Sequence, residues 1–229
     1  MADSEIRAKS FKGSGSVDTD LRTVLHGLVT ADWVSTAIAR GFGWMTDVGQ
    51  ATTPILGGGA TDIYDADQPE LVVDVPSGTT FIPLRAAIIL EVNINGADAD
   101  VIESEIAIDR TAISGVSATN GTVEIPINMR SDIVGGCPCT VVSAVTTNLT
   151  AAPTISQVLA HHHQEKEIVT AAGELYGEFR LDYQPKHPPL VVGPATFWLW
   201  FAASSSFTVS GYVSLDFLAI PSGLVTDLV

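Results

Sequence analysis

The sequence predicts an all-β fold: a two-sheet jelly-roll or Greek-key sandwich with an N-terminal arm containing one or two short helices. Three observations predict it. From Leu71 onward, short β-branched and aromatic runs alternate with Gly, Pro, Asn or Asp punctuation. These runs number roughly eight to ten, at the turn spacing of a sandwich. Before Leu71 the texture is different: polar at the start, then short helical patterns broken by glycine. The expected division is an arm over residues 1–66 and a sandwich over 67–229.

Within the arm, Met1–Ser16 ends in KGSGS, a flexible composition. Leu21, Val24, Leu25 and Leu28 share a face at helical spacing, so Asp18–Val29 reads as a short helix. Asp32–Arg40 offers a second helical turn or two with Asp32 as cap, ended by Gly41-Phe42-Gly43-Trp44. Pro54 and Gly57-Gly58-Gly59 read as linker. Trp33, Phe42 and Trp44 are candidate inter-subunit contacts, because solvated tails rarely hold tryptophan. The alternative is that they pack on their own domain.

Leu71–Asn95 opens the sandwich. Val72–Val75, a Pro-Ser-Gly turn, Thr80–Leu84 and Ala86–Ile94 read as strands. In Val101–Asp109, Ile102, Ser104, Ile106 and Ile108 alternate with Glu103, Glu105 and Ala107, so the two glutamates share a solvated face. Asn120-Gly121 is a hairpin signal, followed by Thr122–Met129 as a strand. Thr140–Thr147 and Glu167–Tyr183 continue the pattern. Ala195–Ala203 and Phe207–Ile220 are the most β-committed runs. In the first, Phe197, Leu199 and Phe201 take one face and Trp198 and Trp200 the other. Both faces are apolar, which predicts a central strand covered on both sides. Core packing is the plain reading of these tryptophans. A platform for stacking sugars is the alternative.

Composition narrows the function classes. Of 229 residues, 46% are hydrophobic and only 16% charged, which favours surface covered by neighbouring subunits. The formal charge is −15, with 11 basic against 26 acidic residues, so no nucleic-acid partner is expected. No run of about 18 apolar residues exists, so no membrane span is expected, and the polar start does not read as a signal peptide. Cys137 and Cys139 flank Pro138. On an extended strand they point the same way, and the expectation is two free thiols.

One constellation carries possible chemistry. In AHHHQEKE, His161, His163 and Glu167 form H-x-H-x3-E, and a strand would place both histidines on one face as metal ligands, with His162 opposite. The spacing resembles the first metal motif of the cupins, a jelly-roll family, and that resemblance implies a metalloenzyme. The glycine that cupins carry six residues before the first histidine is Ile155 here, and His187 in QPKHPP is a poor match to their downstream histidine. A solvated His-rich loop, or a cluster of histidines near a symmetry axis, is the favoured reading, so no metal, cofactor or small-molecule substrate is expected. No nucleophile elbow, zincin, P-loop or dinucleotide motif occurs.

The runs VDVPSGTTFIPLRAAIILEV and FWLWFAASSSFTVSGYVSLDFLAIPSG, the arm and the shortage of charge together resemble jelly-roll virion structural proteins, most of all head decoration or cement proteins of tailed bacteriophages. The resemblance spans most of Leu71–Gly223. It implies a non-enzymatic homotrimer that binds the major capsid protein, bridges neighbouring capsid subunits, and resides in the virion after synthesis in the host cytoplasm. A capsid shell subunit or a carbohydrate-binding sandwich of a fibre are the alternatives.

Overall fold

The structure is a computed structural model. It describes residues 33–50, 52–57, 65–92, 100–111, 120–134, 136–147, 149, 153–166, 179–203 and 209–225. The expected helix over Asp18–Val29, the Ser204-Ser205-Ser206 turn and most of Glu167–Tyr183 lie outside these residues. The described elements, in order, are α1 (Trp33–Ala39), β1 (Gly43–Val48), β2 (Ile55–Leu56), β3 (Leu71–Val75), β4 (Thr79–Val92), β5 (Asp100–Asp109), β6 (Thr122–Glu124), β7 (Ile127–Asn128), β8 (Thr140–Ser143), β9 (Gln157–Lys166), β10 (Phe179–Tyr183), β11 (Val191–Val192), β12 (Ala195–Ala203), β13 (Val209–Pro221) and α2 (Ser222–Val225).

Two antiparallel sheets pack face to face, as expected for an all-β sandwich. One runs β10-β4-β13-β1-β7, with β11 beside β4 and β2 beside β13; the other runs β6-β8-β3-β12-β5-β9. β4 pairs with β13 in the first sheet and β5 with β12 in the second. The β4–β13 pair therefore lies in one layer and the β5–β12 pair in the other. β12 and β13, adjacent in sequence, belong to different sheets, each at a central position.

Alternation sets the core. Phe197, Leu199 and Phe201 of β12 face Leu71, Val73 and Val75 of β3's inner side and Ile88, Val213, Leu215 and Phe217 of the opposite sheet. Phe81 is the pivot, 5.1 Å from the Phe197 ring and 5.0 Å from Phe217, both tilted. Such pairs add about 0.5–1.5 kcal/mol beyond area burial.

β4 joins the two runs expected as Thr80–Leu84 and Ala86–Ile94 into one strand through Pro83. Proline has no N–H to give a ladder. Here β10 pairs with Ala86–Leu90 and β11 with Thr80–Phe81, leaving the stretch around Pro83 unpaired on that side. On the other side the register shifts between Asp216 and Phe217, so Leu84 is the extra residue of a bulge. Thr122–Met129, expected as one strand, is split by Ile125-Pro126 into β6 and β7, one in each sheet. Asn120-Gly121 leads into β6, which pairs with β8; the run 112–119 before that turn, which a hairpin there would pair, lies outside the described residues.

The expected arm is corrected over its second half. α1 closes with Phe42 N–H donating to Ala37 O at 3.1 Å and Gly41 N–H to Ile38 O at 2.8 Å, the Schellman pattern. Gly41 supplies the left-handed φ of +86° that this cap requires. The cap turns the chain directly into β1, which lies between β13 and β7 inside the sheet. Sequence reading missed β1 because GWMTDV is short and opens beside a helix pattern. Its burial alternates nonetheless, with Trp44, Thr46 and Val48 inward.

Candidate functional site

The outer face of the six-stranded sheet carries the sequence-predicted chemistry. Among the described residues β9 is the outermost strand of this sheet and pairs with β5 alone. Register places His163 opposite Glu103, His162 opposite Ser104 and His161 opposite Glu105. Strand alternation thus turns His161, His163, Glu103 and Glu105 to one face and His162 and Ser104 to the other. His162 meets the Phe179 ring edge-on at 4.5 Å, across from the opposite sheet.

His163 Nδ1 lies 2.8 Å from Glu103 Oε1, with both side chains close to half exposed. Glu105 sits deeper. Burial raises its carboxyl above the usual range, His161 beside it pulls down, and Glu103 pushes up. Its Oε1 is enclosed and accepts no hydrogen bond. A pocket of about 180 Å³ is lined by Glu103, Ser104, Glu105, Ile155 and His161. A second, of about 270 Å³, lies beside Arg110, Leu190 and Val192. Both fall below the ~300–1,000 Å³ of ordinary small-molecule sites. The His–Glu ladder can pair charges across β5 and β9. It brings no nucleophile onto its face, because Ser104 points the other way.

As for metal, the structure confirms that His161 and His163 share a face, while Glu167 lies outside the described residues. Among the described residues, no group of three or more His, Cys, Asp or Glu side chains is arranged to hold a metal ion. Sequence reading did not foresee that Glu103 and Glu105 would stand against these histidines. The pairing joins residues 60 apart in sequence, and no local signal encodes that register.

The tryptophans divide. Trp198 and Trp200 stack with centroids 5.3 Å apart and planes 3° from parallel, the geometry of a sugar platform. Both are fully covered, however. Val72, Ala107, Val142, Val145 and Leu149 complete their cluster, and Trp198 Nε1–H donates to Thr196 Oγ1 at 2.7 Å. Plain core packing is therefore the observed role. The cover is held in place by backbone: Val145 N–H donates to Pro69 O and Leu149 N–H to Asp67 O. Ala144 turns the chain there with a left-handed φ of 46°, which costs on the order of 1 kcal/mol in a non-glycine residue.

Of the three candidate inter-subunit contacts, Trp44 is corrected: it is 4% exposed, in the core of its own chain. Phe42 is half-buried against Ala37, Ile82, Leu218 and Ile220. Trp33 alone stays substantially exposed. Apolar exposure concentrates elsewhere, where sequence reading had not looked. Val123, Ile125, Ile127 and Val134 are 45%, 81%, 67% and 96% exposed, on and around β6 and β7. Among the described residues these two strands, consecutive in sequence, are the outermost strands of the two sheets.

No protein-family model, curated protein or solved structure matches the chain. No helix among the described residues is long and apolar enough to cross a membrane.

Proposed function

We propose that the chain is a non-enzymatic virion structural protein: a capsid-associated cement or decoration protein that self-associates as a homotrimer and bridges neighbouring capsid subunits. The exposed apolar flank at β6 and β7 carries this reading. Edge strands present unpaired N–H and C=O groups, and natural proteins blunt them with charge, proline or cover. Here the edge shows Val123, Ile125 and Ile127 to solvent, with only Glu124 and Pro126 between them. Contact with another subunit removes that surface from water at about 25 cal/mol per Å² of apolar area. The scarcity of charge over the whole chain points the same way.

The test is the mass of the purified protein by light scattering, beside the double variant Ile125→Asp, Ile127→Asp. Three chain masses for the parent and one for the variant are expected, followed by co-sedimentation of the parent with empty phage heads. A parent monomer at micromolar concentration overturns the proposal. So does a trimer that survives the double variant and ignores the heads.

A further inference from the structure

The cleft of about 270 Å³ lies where strand ends from both sheets meet. β5, β9 and β12 reach it from the six-stranded sheet and β11 from the other. Its floor is core: Ile108, Val191 and Ala195 are each buried. Its walls are Leu190 and Val192, 51% and 59% exposed. On β12 the inward row begins with Ala195, whereas the residues that continue it, Phe197, Leu199 and Phe201, are large. The small side chain leaves space between the sheets that the core does not fill.

Two exposed polar residues, Arg110 and Gln157, belong to the same lining. The backbone of Arg110 is fixed. Its N–H donates to Ser156 Oγ at 3.1 Å, and Ser156 N–H donates to Ile108 O at 2.8 Å. The neighbouring Asp109 is buried, and its carboxylate is already engaged. Oδ1 accepts from Thr111 N–H at 2.8 Å and from the Thr111 hydroxyl at 2.6 Å, and Oδ2 accepts from Thr154 N–H at 2.7 Å. Arg130 and Arg180 each close on an aspartate two residues further on. Among the described residues no carboxylate closes on the guanidinium of Arg110 in that way.

We propose that this cleft binds a small amphipathic monocarboxylate, with its apolar body between the sheets and its carboxylate on Arg110, where Gln157 adds a second donor. Size sets the body. An apolar cavity of about 150 Å³ holds a benzene, so about 270 Å³ admits roughly six to eight carbons. Burying them also takes the Leu190 and Val192 side chains out of water, which drives the association. Charge sets the head. A guanidinium presents a planar fork of donors that matches a carboxylate in bidentate fashion. One guanidinium balances a single negative charge, which favours a carboxylate over a phosphate monoester carrying about −1.5 to −2.

The test is calorimetric titration of the full chain with octanoate at about 0.15 M salt, where the −15 charge of the chain is screened beyond about 8 Å. Saturable binding of one octanoate per chain is expected, with octan-1-ol and octylamine at least about tenfold weaker, the worth of a hydrogen bond to a charged group. Arg110→Gln is expected to weaken octanoate by at least about the same factor. Leu190→Asp, which sets a like charge against the ligand, is expected to weaken it as well. Both sites are exposed, and circular dichroism reports the fold of each variant. A parent that does not bind octanoate below about 10 mM overturns the proposal. So does a parent that binds octylamine as tightly as octanoate, or either variant binding octanoate as tightly as the parent.

Discussion

The outer faces of the two sheets solve the same problem differently. In the seven-stranded sheet, β13 turns Ser210, Tyr212, Ser214 and Asp216 outward, all half-buried, over most of its length. Past the bulge, its outward residues become Leu218 and Ile220, and there α1 with Ile38 and Phe42 covers them. Among the described residues no helix covers the polar stripe, whereas α1 covers the apolar end. In the six-stranded sheet the apolar patch is central instead, built on Trp198 and Trp200. A backbone-pinned segment from Val145 to Leu149 covers it, and the sheet turns polar toward β9. The comparison teaches that an apolar outer face is tolerated wherever a nearby connection can be laid over it. The connection, not the strand, decides whether an aromatic pair is core or binding surface.

The largest effect that would break this comparison comes from the tryptophan patch. Trp198→Ala should cost about 3–5 kcal/mol in urea unfolding, whereas Ser214→Ala on the opposite outer face should stay within about 0.5 kcal/mol. Equal costs would mean that the Val145–Leu149 cover does not hold in solution.

An intermediate effect is electrostatic. Burial raises the Asp74 carboxyl on the six-stranded sheet, and among the described residues no cation opposes it. It also raises Asp216 on the other sheet, where Arg85 pulls down and Asp47 pushes up. A carboxyl whose folded pKa lies above its unfolded one favours folding when protonated. Each therefore penalises the folded state at neutral pH, and the penalty fades as pH falls through the folded pKa toward the unfolded value near 4. Asp74→Asn should raise the neutral-pH urea midpoint and flatten its rise on acidification, more than Asp216→Asn does. A larger gain from Asp216→Asn would show that Arg85 does not offset its burial.

The smallest effect belongs to the ladder. Glu103→Gln breaks the pair with His163, but both partners are close to half exposed. The expected cost is about 0–1 kcal/mol, shrinking with added salt. A loss beyond that range would mean that the edge strand depends on the pair.

Much of this was legible locally. The alternation in ATFWLWFAA told which β12 residues face which side, and the helix after Asp32 ended where Gly41 stood. The break expected between Leu84 and Ala86 is instead a bulge inside one strand, because β13 continues to pair on both sides of Leu84. The His161–His163 face was readable from period-two geometry alone. Its glutamate partners were not, because they come from a strand 60 residues away.

By itself, then, the sequence determined strand character, the two-sided burial of β12 and the common face of His161 and His163. These follow from side-chain period and turn chemistry, which act over a few residues. Only the tertiary structure decided that β12 and β13 part into different sheets and that Trp44 belongs to the core. It alone covered Trp198 and Trp200. Each of those depends on which distant segment arrives alongside, and that choice is made by the whole core as it packs, since register across sheets leaves no mark on a single strand.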